Sequence, residues 1–447
     1  MSELEQIEKQ THTLKRTLGP IMIWGLGVGY VVSGEYFGWN LGLAHGGPLG
    51  MLAATLLVTI MYVAFVMSYA EVACALPRAG GVFIYANRAY GPTAGFAAGV
   101  SQLIEFLFAP PAIALAIGAY LQTYTAAVPA WGFAVIAYFI FTGLNIWGVR
   151  QSALFELVVT VLAVGGLLLF AGTTLPHFSW AYFAQDPLPN GWSGIIAALP
   201  FAIWFYLAIE GIANVAEETR EPQRDISRGF ISAMATLVFL ALLVFFSAIG
   251  VRGWEAIVFD AAGNQSDTPL PLALGYLTGR EGIIYHGVVV LGLFGLVASF
   301  HGILLIAGRA TFEFGRTGYL PAIFGRTLPH RQSPAAALIL NMLIAFGALA
   351  TGQTGELITM AAFGALALYM FSMASLFRLR KTEPDLPRPY VTPLYPYLPA
   401  VALFLSAVCF SAMLFTNPGI GFSFIAIMTG SILAFRLFGF HEKTQPR

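Results

Sequence analysis

The stretch Gly25-Leu26-Gly27-Val28-Gly29-Tyr30-Val31-Val32-Ser33-Gly34-Glu35-Tyr36-Phe37-Gly38-Trp39-Asn40 decides the fold. It lies in an apolar run, 18–45, and about 20 such residues suffice for a helix to cross a bilayer. The run is interrupted by glycines, with Gly42, Gly46 and Gly47 following, and it carries a carboxylic acid, Glu35. An acid at bilayer depth costs about 2.5–3.5 kcal/mol on the insertion scale and is functional by default. Glycine alone reads equally as close helix packing. The acid beside it favours a helix that breaks at Ser33-Gly34-Glu35 and there helps bind a small amine.

Outward from this run the pattern repeats along the chain. Of 447 residues, 58% are hydrophobic and 10% charged, against roughly 45–50% and 25% in a soluble domain. Runs long enough to cross a membrane fall near 18–45, 48–76, 92–124, 131–149, 153–175, 192–216, 229–251, 284–312, 334–350, 355–377, 396–416 and 419–438. The expectation is an all-α membrane protein with 12 transmembrane helices, its partner the lipid bilayer. Residues 1–17 are polar and the first apolar run is too long for a cleavable signal, so the N-terminus is expected in the cytoplasm. With both termini there, all of the 22 Lys and Arg except Arg252 and Arg280 fall on the cytoplasmic side, as the positive-inside rule requires. That places the chain in the cytoplasmic membrane. The net charge of zero and the lack of a basic stripe argue against nucleic acid. Cys74 and Cys409 sit in apolar runs and read as small packing residues.

A second break is expected in the sixth run. There Pro200 precedes Trp204-Phe205-Tyr206-Leu207-Ala208-Ile209-Glu210-Gly211, and the run ends in Glu217-Glu218-Thr219-Arg220-Glu221-Pro222. Runs one and six occupy matching positions if the first ten form two halves of five. Paired Gly-interrupted segments in matching halves point to an inverted repeat with its site at the midplane. Irregular backbone survives in lipid only where it lines a cavity or is buried in protein, so both breaks should border the pathway. Pro110-Pro111 should bend the third span there too.

Four acids lie at membrane depth: Glu35, Glu71, Glu105 and Glu210. Glu35 and Glu210 each adjoin a break glycine and are the expected binding acids. Glu71 reads as structural, paired with Arg78 or another basic loop residue. Glu105 reads either as a hydrogen-bond partner behind the site or as part of it. Tyr36, Phe37 and Trp39 flank the first break and Trp204, Phe205 and Tyr206 the second. A carboxylate beside aromatic faces suits an ammonium ion, the cation–π part being worth about 2 kcal/mol when desolvated. At 14% aromatic content most such rings merely pack, so only Trp204 and Tyr206 are singled out, for their closeness to Glu210. The seven histidines are scattered without metal spacing, and no nucleophile elbow or phosphate loop appears. No enzyme, cofactor or metal is indicated. His301, inside a span, reads as a neutral imidazole bonded to backbone or as a proton-coupling group.

Three motifs in order resemble the amino acid–polyamine–organocation transporters over about 15–438. Pro77-Arg78-Ala79-Gly80-Gly81 looks like the family's Pro-x-x-Gly-Gly loop. Glu217 to Arg224 looks like its Glu-Glu-x-x-x-Pro-x-Arg signature, and Ala298-Ser299 through Gly308-Arg309 to Gly315-Arg316-Thr317-Gly318-Tyr319-Leu320-Pro321 like its end of span eight. The resemblance implies a five-plus-five inverted repeat with broken helices 1 and 6, working by alternating access. The division is then a tail 1–17, a transport core 18–390 of helices one to ten, helices eleven and twelve in 391–438, and a tail 439–447. Arginine–agmatine exchangers of the family carry a Trp and a gating Glu six residues apart on span six. Trp204 and Glu210 match, which implies stacking on the cargo for one and gating or cation binding for the other.

The departure from the family concerns the cargo. Amino-acid carriers usually show Gly-Ser-Gly and then an apolar residue in span one, where free amides receive the substrate carboxylate. Here the run is Val32-Ser33-Gly34-Glu35. A carboxylate about 4 Å from an ionised Glu35 would be repelled by about 4 kcal/mol at an effective dielectric near 20. Ser33-Gly34-Glu35-Tyr36-Phe37-Gly38-Trp39-Asn40, Gly46-Gly47-Pro48 and Glu105-Phe106-Leu107-Phe108-Ala109-Pro110-Pro111-Ala112 are together similar to bacterial ethanolamine permeases. Ethanolamine or a related amino alcohol is the expected cargo, against an amino-acid or polyamine exchanger of the same superfamily or a non-transporting sensor. If transport is ion-coupled and not exchange or uniport, the expected coupling ion is H+ or Na+. The lysine that some proton-coupled relatives hold on span five falls on Ala163, by alignment of Gly148-Val149-Arg150-Gln151-Ser152-Ala153. Ser299 is implied either in Na+ binding near the first break or in plain packing. Protonation of Glu35, Glu105 or Glu210 is the further route.

Overall fold

The computed structural model describes residues 16–78, 80–147, 152–328 and 331–437. Residues 148–151 of the stretch used to align span five, Ala79, residues 1–15, 329–330 and 438–447, with the expected tail 439–447, lie outside them. Among the described residues there is no β-strand, only two isolated bridges, Leu18 with Thr219 and Phe259 with Gln265. Twelve apolar helical elements follow in the expected order. The second to fifth are Leu43–Ala75, Pro92–Gln122, Ala130–Trp147 and Ser152–Thr174. The seventh to tenth are Pro222–Arg252, Ile283–Arg316, Ala335–Leu349 and Thr354–Thr382. The last two are Tyr397–Thr416 and Pro418–Leu437.

Among the described residues ten helices are long and apolar enough to cross a membrane, while Pro20–Val31 and Ala335–Leu349 are shorter. The ninth, with 15 residues, covers about 22 Å at 1.5 Å per residue. Pro334 precedes it, and Gly352, at φ +67°, follows its end. The first is short because it breaks. It comprises Pro20–Val31, Ser33–Tyr36 and a 3-10 turn, Trp39–Gly42, which runs directly into the second span. The second span begins at Leu43, five residues before the apolar run suggested, and kinks at Gly47 (φ 60°) before Pro48. The sixth consists of Gly191–Ala197, Leu199–Trp204 and a 3-10 stretch, Ile209–Glu218. The third remains one helix through Pro110-Pro111, so the expected bend does not interrupt it.

Spans three, five, eight and ten form the scaffold, with three packed on both eight and ten and five on eight. Exchanging each span with the one five places later maps contacts onto contacts. Three on ten becomes eight on five, one on seven becomes six on two, one on five becomes six on ten, and three on four becomes eight on nine. This is the packing of a five-plus-five inverted repeat. Spans eleven and twelve lie outside it, against spans two, three and ten. Large apolar side chains are exposed on the peripheral spans, among them Phe139, Ile140, Leu154, Phe404, Phe415 and Phe422. A contiguous apolar belt of this kind is what lipid tails cover.

Candidate substrate site

The two breaks meet. In span one the helical ladder lapses at Ser33, whose N–H donates not to Gly29 but to Ser299 Oγ of span eight, at 2.9 Å. Ser299 Oγ in turn donates to the Gly29 carbonyl at 2.6 Å. One hydroxyl thus re-satisfies both backbone groups that the break frees, as burial in a membrane demands. The chain leaves helix fully at Phe37, which is extended, and at Gly38, with φ +88°. The interruption therefore begins at the expected Ser33 and ends three residues beyond Glu35.

In span six the helix stops at Trp204 and restarts at Ile209, with Ala208 left-handed at φ +76°. A non-glycine residue rarely adopts this conformation, which costs roughly 1–2 kcal/mol. Glu105 of span three supports it, Oε1 accepting from the Ala208 N–H at 3.0 Å. Glu105 is thereby tied to the second break. Gly34 is required at the crossing, because a Cβ there would stand 2.4 Å from the Trp204 carbonyl oxygen. Gly38 likewise leaves room for the Trp204 indole.

Glu35 is fully buried and neither of its carboxylate oxygens has a hydrogen-bond partner. Its surroundings are aromatic. Phe37 meets Trp204 edge-on at 5.4 Å, and Trp39 stacks on Phe205 at 5.5 Å while donating Nε1–H to the Glu35 backbone carbonyl. Trp204 Nε1 is buried without a partner. Tyr206 lies within electrostatic reach of Glu35, and its hydroxyl is 2.7 Å from that of Thr59.

A second acidic centre adjoins this one. Glu210 Oε2 lies 3.1 Å from the Tyr369 hydroxyl, which is 2.9 Å from the Tyr62 hydroxyl. The Glu105 and Glu210 carboxyls are direct neighbours, and Glu105 Oε2 and Glu210 Oε1 receive no donor from elsewhere. Two buried carboxyls side by side need a proton or a cation between them.

Not every expected residue joins the site. Tyr36 packs on spans five and eight, its hydroxyl donating to the Ala163 carbonyl at 2.6 Å and its ring against Gly292 and Gly295. His301 and Ser299 both lie on span eight, but His301 pairs with Glu156 of span five, Nδ1 to Oε2 at 3.5 Å. Its partner is thus a carboxylate, not backbone. Glu156, 1% exposed, is an acid the sequence reading passed over, because it lies one turn inside the start of an apolar run. Ala208 and the tyrosine pair Tyr62 and Tyr369 escaped it as well. Glu71 is structural as expected, but its partners are Arg380, bidentate at 2.8 and 2.6 Å, Arg388 at 3.3 Å and the Thr392 N–H, not Arg78.

Ser33, Glu35, Trp204, Tyr206 and Glu210 are all buried, so the arrangement is closed toward both faces. On one side Thr17 and Leu18 donate their N–H groups to the Glu218 carbonyl, and the Glu218 side chain pairs with Arg309 at 2.6 Å. This joins the acidic motif after span six to the arginine of span eight. On the other side Asn40 Nδ2 donates to the carbonyls of Ile257 and Ser266, and Thr354 donates to Asp267 at 2.8 Å. The loop between spans seven and eight is thus pinned over the end of span one that leads into span two. Among the described residues no group of His, Cys, Asp and Glu could hold a metal ion.

Two broken helices crossing inside an apolar bundle, with buried acids at the crossing, are the arrangement of a membrane transporter. The chain belongs to the amino acid permease family, whose pattern matches residues 18–434. It is therefore a multi-pass permease of the amino acid–polyamine–organocation superfamily and not an enzyme. It is 31% identical to an uncharacterized transporter of Rhizobium meliloti over 96% of this chain and 92% of that one. It is 24% identical to the methylthioribose transporter of Bacillus subtilis, over 96% and 94%. With the low-affinity putrescine importer of Escherichia coli it shares 25% identity, over 82% of each.

Proposed function

We propose that this chain imports ethanolamine or a closely related small amino alcohol across the cytoplasmic membrane by alternating access, with both termini in the cytoplasm. The observation that carries the reading is Glu35, a buried carboxyl without a hydrogen-bond partner, at the crossing where Phe37 meets Trp204 and with Tyr206 in electrostatic reach. An ammonium group supplies the missing donors and charge, and the rings add cation–π attraction. A cargo carboxylate at the same place would meet repulsion of about 4 kcal/mol, a roughly thousandfold penalty. The cargo hydroxyl is left to the backbone at Ser33-Gly34 and the break at Phe205 to Ala208, and Glu210 gates or shares the cation. Tyr36 serves this site indirectly, by fixing span one to span five.

A second reading rests on the Glu105–Glu210 pair. Two acidic centres along one crossing also suit a cargo with two ammonium groups, and a putrescine importer is among the relatives. Competition against labelled ethanolamine uptake in proteoliposomes separates the two. Amino alcohols are expected to compete while alanine and arginine do not. Equal competition by putrescine would move the assignment to polyamines, and equal competition by alanine would remove Glu35 as an excluder of carboxylates.

A further inference from the structure

Away from the crossing, the first half of span one is pressed against spans five and eight at three levels. Thr160 Oγ1 donates to the Gly25 carbonyl at 3.1 Å, Ser299 Oγ to the Gly29 carbonyl at 2.6 Å, and Tyr36 Oη to the Ala163 carbonyl at 2.6 Å. Glu156, Thr160 and Ala163 share one helical face by their spacing. Glu156 faces span one there. Its Oε1 lies 2.7 Å from where a Cβ on Gly29 would stand and 3.1 Å from the same point on Gly302, so a side chain at Gly29 would crowd this carboxyl. Its Oε2 lies 3.5 Å from His301 Nδ1. Glu156 Oε1 has no hydrogen-bond donor, and neither does the buried Tyr30 hydroxyl nearby. The rings of Phe141 and Phe155 stand edge-on to the imidazole at 6.1 and 6.0 Å.

The titratable groups in electrostatic reach are His301 from span eight and Tyr30 from span one, with Arg309 and Glu218 of the latch beyond Tyr30. A carboxylate with one oxygen bare among apolar walls is tolerated when a proton is held within the pair it forms with the adjacent imidazole. At about pH 7 and above, where a solvated carboxyl and a solvated imidazole are both deprotonated, the closed arrangement then holds one proton more than an arrangement in which water reaches the pair. A ligand shifts a conformational equilibrium toward the state that binds it better. Protons therefore favour the packing of Gly29 onto Glu156, and opening releases them.

We propose that Glu156 and His301 form the proton-binding site through which a proton gradient drives transport, acting on span one at Gly29 and not on the cargo itself. The proposal rests on transport by this chain and not on which amine is carried. The test uses the full-length protein in proteoliposomes with the membrane potential clamped at zero. The cargo is labelled ethanolamine, or putrescine if only putrescine gives counterflow. With the outside one pH unit more acidic than the lumen, wild-type protein should accumulate cargo up to about tenfold, the equilibrium limit for one proton per cargo. Glu156→Gln and His301→Gln should retain counterflow but accumulate to a ratio near 1, and Glu156→Asp should restore part of the accumulation. If Glu156→Gln fails to fold, His301→Gln alone decides, because it leaves the carboxyl in place. Wild-type accumulation that ignores the gradient while counterflow persists would overturn the proposal, as would undiminished accumulation in the two Gln variants. Absence of ethanolamine counterflow in the wild type would instead sink the ethanolamine reading.

Discussion

In the proposed reading cargo selection turns on Glu35, because a buried carboxyl without a partner is stabilised in its charged form only when an ammonium ion arrives. Replacement by Gln keeps the volume and removes the attraction, about 4 kcal/mol for a charge pair at 4 Å and an effective dielectric near 20. Glu35→Gln should therefore lower kcat/KM for ethanolamine by roughly a thousandfold with the expression level unchanged, and near-normal uptake would take Glu35 out of contact with the cargo. Glu71 is the contrasting case. It is equally buried but is held by Arg380, Arg388 and the Thr392 amide. Removing one partner of a buried pair costs about 3–5 kcal/mol because the other charge is left uncompensated. Glu71→Ala should accordingly reduce the monodisperse fraction after detergent extraction, where Glu35→Gln should not. The sequence already set these two acids apart, since one adjoins Gly34 in a glycine-rich run and the other lies near a basic loop. It could not find Glu156, whose partner His301 is 145 residues away and whose meaning exists only once spans five and eight are packed.

At the level of elements, both breaks were legible because glycine and an acid inside an apolar run have no other economical explanation. Their ends were not. The first break extends to Gly38 and the second is centred on Ala208; alanine carries no signal of the left-handed conformation, which here depends on a carboxylate from span three. The repair of the first break was equally invisible, since a serine in a distant helix is ordinary until its hydroxyl is seen between Ser33 N–H and Gly29 C=O. Ser299→Ala strands both groups in a dry interior, at about 1–3 kcal/mol for an unsatisfied buried donor or acceptor. The variant should melt several degrees lower in detergent and transport more slowly. Ser299→Thr, which keeps the hydroxyl, should recover most of the loss. Equal melting of wild type and Ser299→Ala would mean that water replaces the hydroxyl at no cost.

On the scale of the whole molecule, alternating access requires that the two faces open in turn, so each closure must be weak enough to undo. The order and number of apolar elements came directly from composition, because lipid imposes a length on every crossing. The outer latch did not, for the loop between spans seven and eight is polar in sequence and its docking depends on Asn40 and Thr354 from far along the chain. Asp267 in that loop is held by the Thr354 hydroxyl, and burial pushes its carboxyl up to about 6 from an ordinary value near 3.8, against the opposing effect of that hydrogen bond. A raised value in the docked state means that the docked loop holds a proton the free loop would lose. Docking is then favoured most below the ordinary value and weakens as pH rises through about 6, flattening above it. Amide-exchange protection of residues 253–268 should fall across that window in the wild type. Asp267→Asn, which keeps a hydrogen-bonding side chain without the titration, should show the low-pH level of protection throughout. A wild-type profile that is flat from pH 4 to 7 would show that Asp267 does not control the outer latch, and the pH dependence of uptake would then fall to groups deeper in the bundle.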